Sequence, residues 1–186
     1  ETEVESREME GTRCRFRTTA DVDLYPLQLE QVSMESASSG QSALRLRFAT
    51  LPGATLGQAG IERLRLHLVG EPAYTLYYWL CRYVGKIKLR LLTQGRPAEE
   101  LGLPDCKIQP LGFAKEEALL PYPQTAFDGY RLLQEYFAFP QKFLAVDLSD
   151  LRPLARRSSA TTFEILILFT KAPPASLRVS KDHVRL

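Results

Sequence analysis

Three stretches of this chain alternate apolar and basic side chains with a period of two: ALRLRFAT at 43–50, IERLRLHLVG at 61–70 and KIKLRLL at 86–92. Successive side chains on a strand point to opposite faces, so the pattern sorts Leu44, Leu46, Phe48, Leu64, Leu66, Leu68, Ile87, Leu89 and Leu91 onto core faces. The opposite faces carry Arg45, Arg47, Arg63, Arg65, Lys86, Lys88 and Arg90. A one-residue slip in pairing would bury the cations and expose the leucines, so the register is strongly specified. Antiparallel sheets with one wet face read this way.

The remaining periodicities complete a β-rich α+β chain, with mainly antiparallel sheets packed as a sandwich-like core and two short helices. Strands are predicted near 14–18, 22–34, 43–50, 61–69, 86–92, 107–113, 142–148 and 161–170, and helices near 72–84 and 126–139. Pro72 suits the first turn of the earlier helix. Residues 1–12 hold five Glu against one Arg and read as a flexible acidic leader. The Gly-, Pro- and acid-rich stretch 93–106 is the best internal boundary, dividing a first β-rich subdomain at 13–92 from a second at 107–186. The opening residues lack an initiator Met and the last strand pattern has no closing turn, so the chain is expected to be an internal piece truncated at its C-terminal end.

Chemistry finds little support in the composition. Cys14, Cys81 and Cys106 form no C-x-x-C pair and read as three reduced, buried thiols. With His67 and His183 as the only histidines, no zinc-ligand spacing can be written, and neither metal nor cofactor is expected. The formal net charge of +2 does not by itself argue for nucleic acid, and no apolar run is long enough to span a bilayer.

The stretch 120–148 is the densest in aromatic residues. Thr125 and Asp128 have the spacing of a capping box, and Pro140 closes the helix because it has no N–H and forces its predecessor out of the α region. Arg131, Gln134, Glu135 and Ala138 fall on one narrow stripe. Tyr130, Leu132, Leu133, Tyr136, Phe137 and Phe139 wrap the rest, which predicts a helix covered on two sides and buried through its aromatic side chains. A catalytic reading would make Glu135 a general acid/base assisted by Tyr130 or Tyr136. It lacks a second carboxylate, a nucleophile–base pair and a phosphate loop, so packing is the better account.

CRFRTTADVDLYPL at 14–27, LGFAKEEALLPYP at 111–123 and above all GYRLLQEYFAFPQKFL at 129–144 resemble the TssF baseplate proteins of bacterial type VI secretion systems. Tyr25 stands where Trp is common in that family and Ala145 where an aromatic is common. The resemblance implies assembly: a cytoplasmic baseplate wedge docked near the inner membrane, built with TssG, TssK, TssE, VgrG and a second TssF copy, from which sheath and tube are built. No catalysis is implied. Its signature positions here are Cys14, Phe16, Arg17, Gly112, Phe113, Pro121, Gly129, Tyr130, Arg131, Leu132, Glu135, Tyr136, Phe137, Pro140 and Phe143.

The basic strand faces support two further readings. As a nucleic-acid-binding β-domain they would carry the phosphate contacts, joined by RPLARRSS at 152–159, but the aromatic interleaving needed for base stacking is missing. As an assembly surface they would dock an acidic patch of another subunit, because those strands offer only Glu62 as counter-charge and like charges across adjacent strands repel.

Overall fold

The structure, a computed structural model, describes residues 2–20, 22–36, 40–92, 99–120, 122, 123, 125, 127–155 and 160–186. In chain order its elements are β1 (Glu3–Glu5), β2 (Arg15–Arg17), β3 (Leu27–Ser36), β4 (Ser42–Thr50), α1 (Leu56–Ala59), β5 (Leu64–Leu68), α2 (Ala73–Arg82), β6 (Val84–Leu92), β7 (Glu99–Gly102), β8 (Ile108–Pro110), α3 (Asp128–Ala138), β9 (Ala145–Leu148), α4 (Arg152–Ala155), β10 (Thr162–Phe169) and β11 (Val184–Arg185). Three 3-10 turns accompany them, at Lys115–Glu117, Pro140–Phe143 and Lys181–His183.

The alternating stretches do form strands, in two antiparallel sheets ordered β3-β4-β10-β6-β7 and β11-β5-β9-β8. Their predicted inner residues make one core: Leu44, Leu46, Phe48, Leu64, Leu66, Leu68, Ile87, Leu89 and Leu91 join Phe163, Ile165 and Ile167 of β10. Phe48 and Phe163 stack across β4 and β10 with ring centroids 5.0 Å apart. Each such side chain contributes about 1.5–3 kcal/mol by leaving water. β10 is the central strand of its sheet, and residues 163–169 are buried on both faces, as their near-continuous apolar run requires.

Sheet membership crosses the 93–106 stretch. β10, from the second half of the chain, inserts between β4 and β6, while β5 of the first half pairs with β9 of the second. The halves expected as separate subdomains therefore share both sheets and one core. Within the expected connecting loop, Glu99–Gly102 pairs with β6, and residues 93–98 lie outside the described residues.

The acidic opening also departs from expectation. Glu3–Glu5 pairs with Arg15–Arg17, setting Glu3 opposite Arg17, Val4 opposite Phe16 and Glu5 opposite Arg15. Opposite charges across the ribbon, with Arg15 Nε 3.2 Å from Glu5 Oε1 and Arg17 Nη2 3.2 Å from Glu3 Oε1, give the acidic segment a partner within its own chain. The strand predicted over 142–148 begins only at Ala145, because Pro140–Phe143 winds into a 3-10 turn.

Candidate functional site

Helix α3 sets the most informative site. It starts without the predicted capping box: Phe127 is the N-cap, with no side-chain cap bond. Asp128 instead accepts a hydrogen bond from the Tyr122 hydroxyl at 3.2 Å and pairs with Lys115 at 3.2 Å. At Gly129 a Cβ would sit 2.4 Å from the Phe127 ring, which is exposed and would have to swing aside.

The helix is turned the opposite way from the sequence expectation. Arg131 and Glu135 are its buried residues, at 3% and 1% exposure, while Phe137 is 82%, Phe127 73%, Tyr130 70% and Leu133 58% exposed. Leu132 is half-buried. Of that stripe Arg131 and Glu135 turn inward while Gln134 and Ala138 stay exposed, and every polar side-chain atom of the buried pair except Arg131 Nε finds a partner. Arg131 Nη1 donates to Glu135 Oε2 at 3.0 Å, and Nη2 donates to the carbonyls of Phe113 at 3.0 Å and Ala114 at 3.3 Å. Glu135 Oε1 accepts from the backbone N–H groups of Leu119 at 2.8 Å and Leu120 at 3.3 Å, and Oε2 also accepts from Lys142.

That network is why the charged pair can face inward. A buried ion pair is tolerable only where further hydrogen bonds replace lost water, and residues 113–120 and Lys142 supply them. Burial pushes the Glu135 carboxyl up, but the bonds from Lys142, Leu119 and Leu120 outweigh it and hold the group below its ordinary range. Tyr122 adds a cation–π contact, its ring centroid 5.5 Å from the Arg131 guanidinium.

The loop receiving this stripe is itself shaped by signature residues. Gly112 sits at φ +95°, a conformation side chains disfavour, and a Cβ there would meet the Phe143 ring at 3.1 Å and the Lys142 carbonyl at 3.2 Å. Glu117 accepts from the N–H groups of Gly112 and Ala114, both at 2.9 Å. Phe143 is buried and contacts the rings of Phe113 and Tyr136. Pro140 follows the helix as expected and opens the 3-10 turn. Pro121 lies outside the described residues.

The outward aromatic side continues beyond α3. The neighbouring Tyr136 hydroxyl raises the Tyr74 phenol pKa, and α2 leaves Tyr74 and Tyr78 56% and 50% exposed. Cys14, Phe16 and Arg17 lie elsewhere, exposed on the β1–β2 ribbon, so the signature residues do not form one cluster. Cys81 is also exposed, contrary to the expectation of three buried thiols. Only Cys106 is buried, and burial raises its pKa to about 12.

The basic strand faces find their counter-charges at long sequence range. Glu164, at the centre of β10 and 2% exposed, accepts from Arg45 at 3.3 Å and from Arg90 at 3.0 Å. Glu100 of β7 takes Lys88 at 3.1 Å and Arg90 at 2.9 Å, and Glu30 of β3 takes Arg47 at 3.1 Å. Arg65 meets Asp147, directly across from it on β9, through two bonds of 3.0 and 3.1 Å. Arg63 reaches Asp23 at 2.6 Å. Glu62 is therefore not the sole counter-charge, and the expected cross-strand repulsion is relieved within the chain. Glu164 carried a visible signal, as one acid inside the apolar run TTFEILILF. Arg152 pairs with Asp150, while residues 156–159 of the basic loop fall outside the described residues.

The structure is thus a β-sandwich carrying a helix anchored through its charges, with its aromatic side turned outward beside two exposed tyrosines. Aromatic residues are the side chains that interface cores favour. The family model for "Type VI secretion system, TssF" matches residues 1–186, and the chain belongs to that family. It is 33% identical over 174 residues to the type VI secretion system component TssF1 of Pseudomonas aeruginosa, covering 86% of this chain and 28% of that relative. Among solved structures it matches a chain of the TssK-TssF-TssG baseplate subcomplex, determined by cryo-electron microscopy, with a TM-score of 0.80 and 34% identity. That match covers 98% of this chain and 34% of the solved one. The chain thus spans about a third or less of the relatives it matches.

Proposed function

We propose that this chain is a structural part of the type VI secretion baseplate, acting by protein–protein assembly and catalysing no step. The observation that carries the reading is the outward aromatic face of α3. Tyr130, Leu133 and Phe137 fall at i, i+3 and i+7, the spacing with which one helix seats against another. Exposing three large apolar side chains in one row is costly unless a partner covers them.

TssG and TssK are the first partners to test, because the solved relative is a subcomplex of those proteins with TssF. Contacts with TssE, VgrG and a second TssF copy complete the wedge we infer, in the cytoplasm beside the inner membrane. Among the described residues no helix is long and apolar enough to cross a membrane. The nucleic-acid reading loses its basis, since the cations it needs are largely matched by Glu30, Glu100, Asp147 and Glu164.

The test is co-purification of the full-length protein with TssG and TssK, comparing wild type with a Tyr130→Ala/Phe137→Ala variant. Loss of partner capture by tenfold or more, with an unchanged circular dichroism spectrum, is the expected result. Wild-type capture by the folded variant would remove the aromatic face from the account.

A further inference from the structure

Among the described residues, six of the seven basic strand residues hold a carboxylate and Lys86 does not. Arg82 and Lys107, which lie outside the alternating pattern, likewise have no ion pair among the described residues. These three exposed cations come together on one cleft of about 820 Å³, which no Asp or Glu lines. Its inner wall is apolar, formed by the buried side chains of Leu80, Ile87 and Leu103.

The cleft also borders two incomplete strand edges. β6 pairs with β10 along its length, but with β7 only from Lys88 onward, so among the described residues Val84–Lys86 has no strand on that side. β8 is the outer strand of the other sheet, and its Pro110 removes one backbone donor from that edge. β6 therefore offers the better edge for strand addition. The lining holds no aromatic ring on which a base could stack.

We propose that this cleft seats an extended acidic segment of a second polypeptide, added as a strand along Val84–Lys86. Its alternate side chains fill the apolar wall and its carboxylates meet Arg82, Lys86 and Lys107. Charge complementarity selects the occupant: three cations with no ion pair among the described residues, around an apolar floor, favour an acidic peptide and repel a basic one. The inference rests on the assembly reading above only in taking a polypeptide partner as given, and it uses none of the α3 residues.

Two measurements on the full-length protein test it. A photo-crosslinking benzoylphenylalanine replacing Lys107, in cells that assemble the baseplate, should trap one segment of a second polypeptide, and mass spectrometry should show that segment to carry net negative charge. The triple variant Arg82→Glu/Lys86→Glu/Lys107→Glu should lose capture of that polypeptide by about tenfold or more at low salt, with an unchanged melting temperature. Arg82→Lys/Lys86→Arg/Lys107→Arg should retain it. No crosslink, or a crosslink to the protein's own chain, to nucleic acid or to a neutral or basic segment, overturns the proposal. Undiminished capture by the folded triple variant does so too. If the cleft variants fail in this way while the Tyr130/Phe137 variant still loses its partners, the cleft inference falls and the aromatic-face reading stands.

Discussion

Helices α2 and α3 are of similar length and both rich in aromatic residues, yet they meet the rest of the protein in opposite ways. α2 buries Ala73, Leu76 and Leu80 against the core and leaves Tyr74 and Tyr78 outside. α3 buries Arg131 and Glu135 and leaves Tyr130, Leu133 and Phe137 outside. Hydropathy dictates orientation only where the available neighbour is apolar. α2 packs between strands of both sheets, whereas α3 faces a loop whose backbone N–H and carbonyl groups are met by the side chains of Arg131 and Glu135. The interface role proposed for α3 uses this arrangement: its anchor is polar, and its apolar side is exposed.

The comparison breaks most decisively at the buried carboxylate. Glu135→Ala leaves Arg131 and two backbone N–H groups without their acceptor, and should destabilise the chain by about 3–5 kcal/mol in denaturant unfolding. A change below 1 kcal/mol would mean that the network is incidental to how α3 is held. On α2 the counterpart is Leu76→Ala, a cavity in the core worth about 2–5 kcal/mol by the same measurement. Unlike Glu135→Ala, its cost should be independent of pH.

Phe137→Ala sharpens the contrast from the outer side. Because the ring is 82% exposed, thermal unfolding of the chain should shift by no more than about 0.5 kcal/mol, although a buried phenylalanine would cost about 3–5. A loss of that larger size would show that the side chain packs within the chain.

The smallest expected effect is in acid. The Glu135 carboxyl in the folded chain lies below its ordinary value of 4.5, so it contributes stability that is present above that value and is lost as pH falls through the folded one. Glu135→Gln should therefore weaken the acid dependence of stability below about pH 4.5, which urea unfolding at a series of pH values would measure. A profile parallel to that of the wild type would contradict the charged state assigned to Glu135.

The two-residue alternation fixed much in advance. Leu44, Leu46 and Phe48 face the core because a strand has no other way to place them, and the helix stop at Pro140 follows from its missing N–H. The periodicity on α3 likewise divided the helix into a charged stripe and an aromatic face. Which of those faces turns inward depended on what lay opposite, and tertiary structure decided it. Partners for Arg131 and Glu135 come from residues 113–120 and Lys142, gathered by the turn at Gly112 and the 3-10 turn after Pro140. The basic faces obeyed the same rule: Arg45 is matched by Glu164, 119 residues away, once β10 enters between β4 and β6. A local pattern states which side chains share a face, but burial of a charge is settled by the groups that converge on it, and those meet only when distant strands and loops have been brought together.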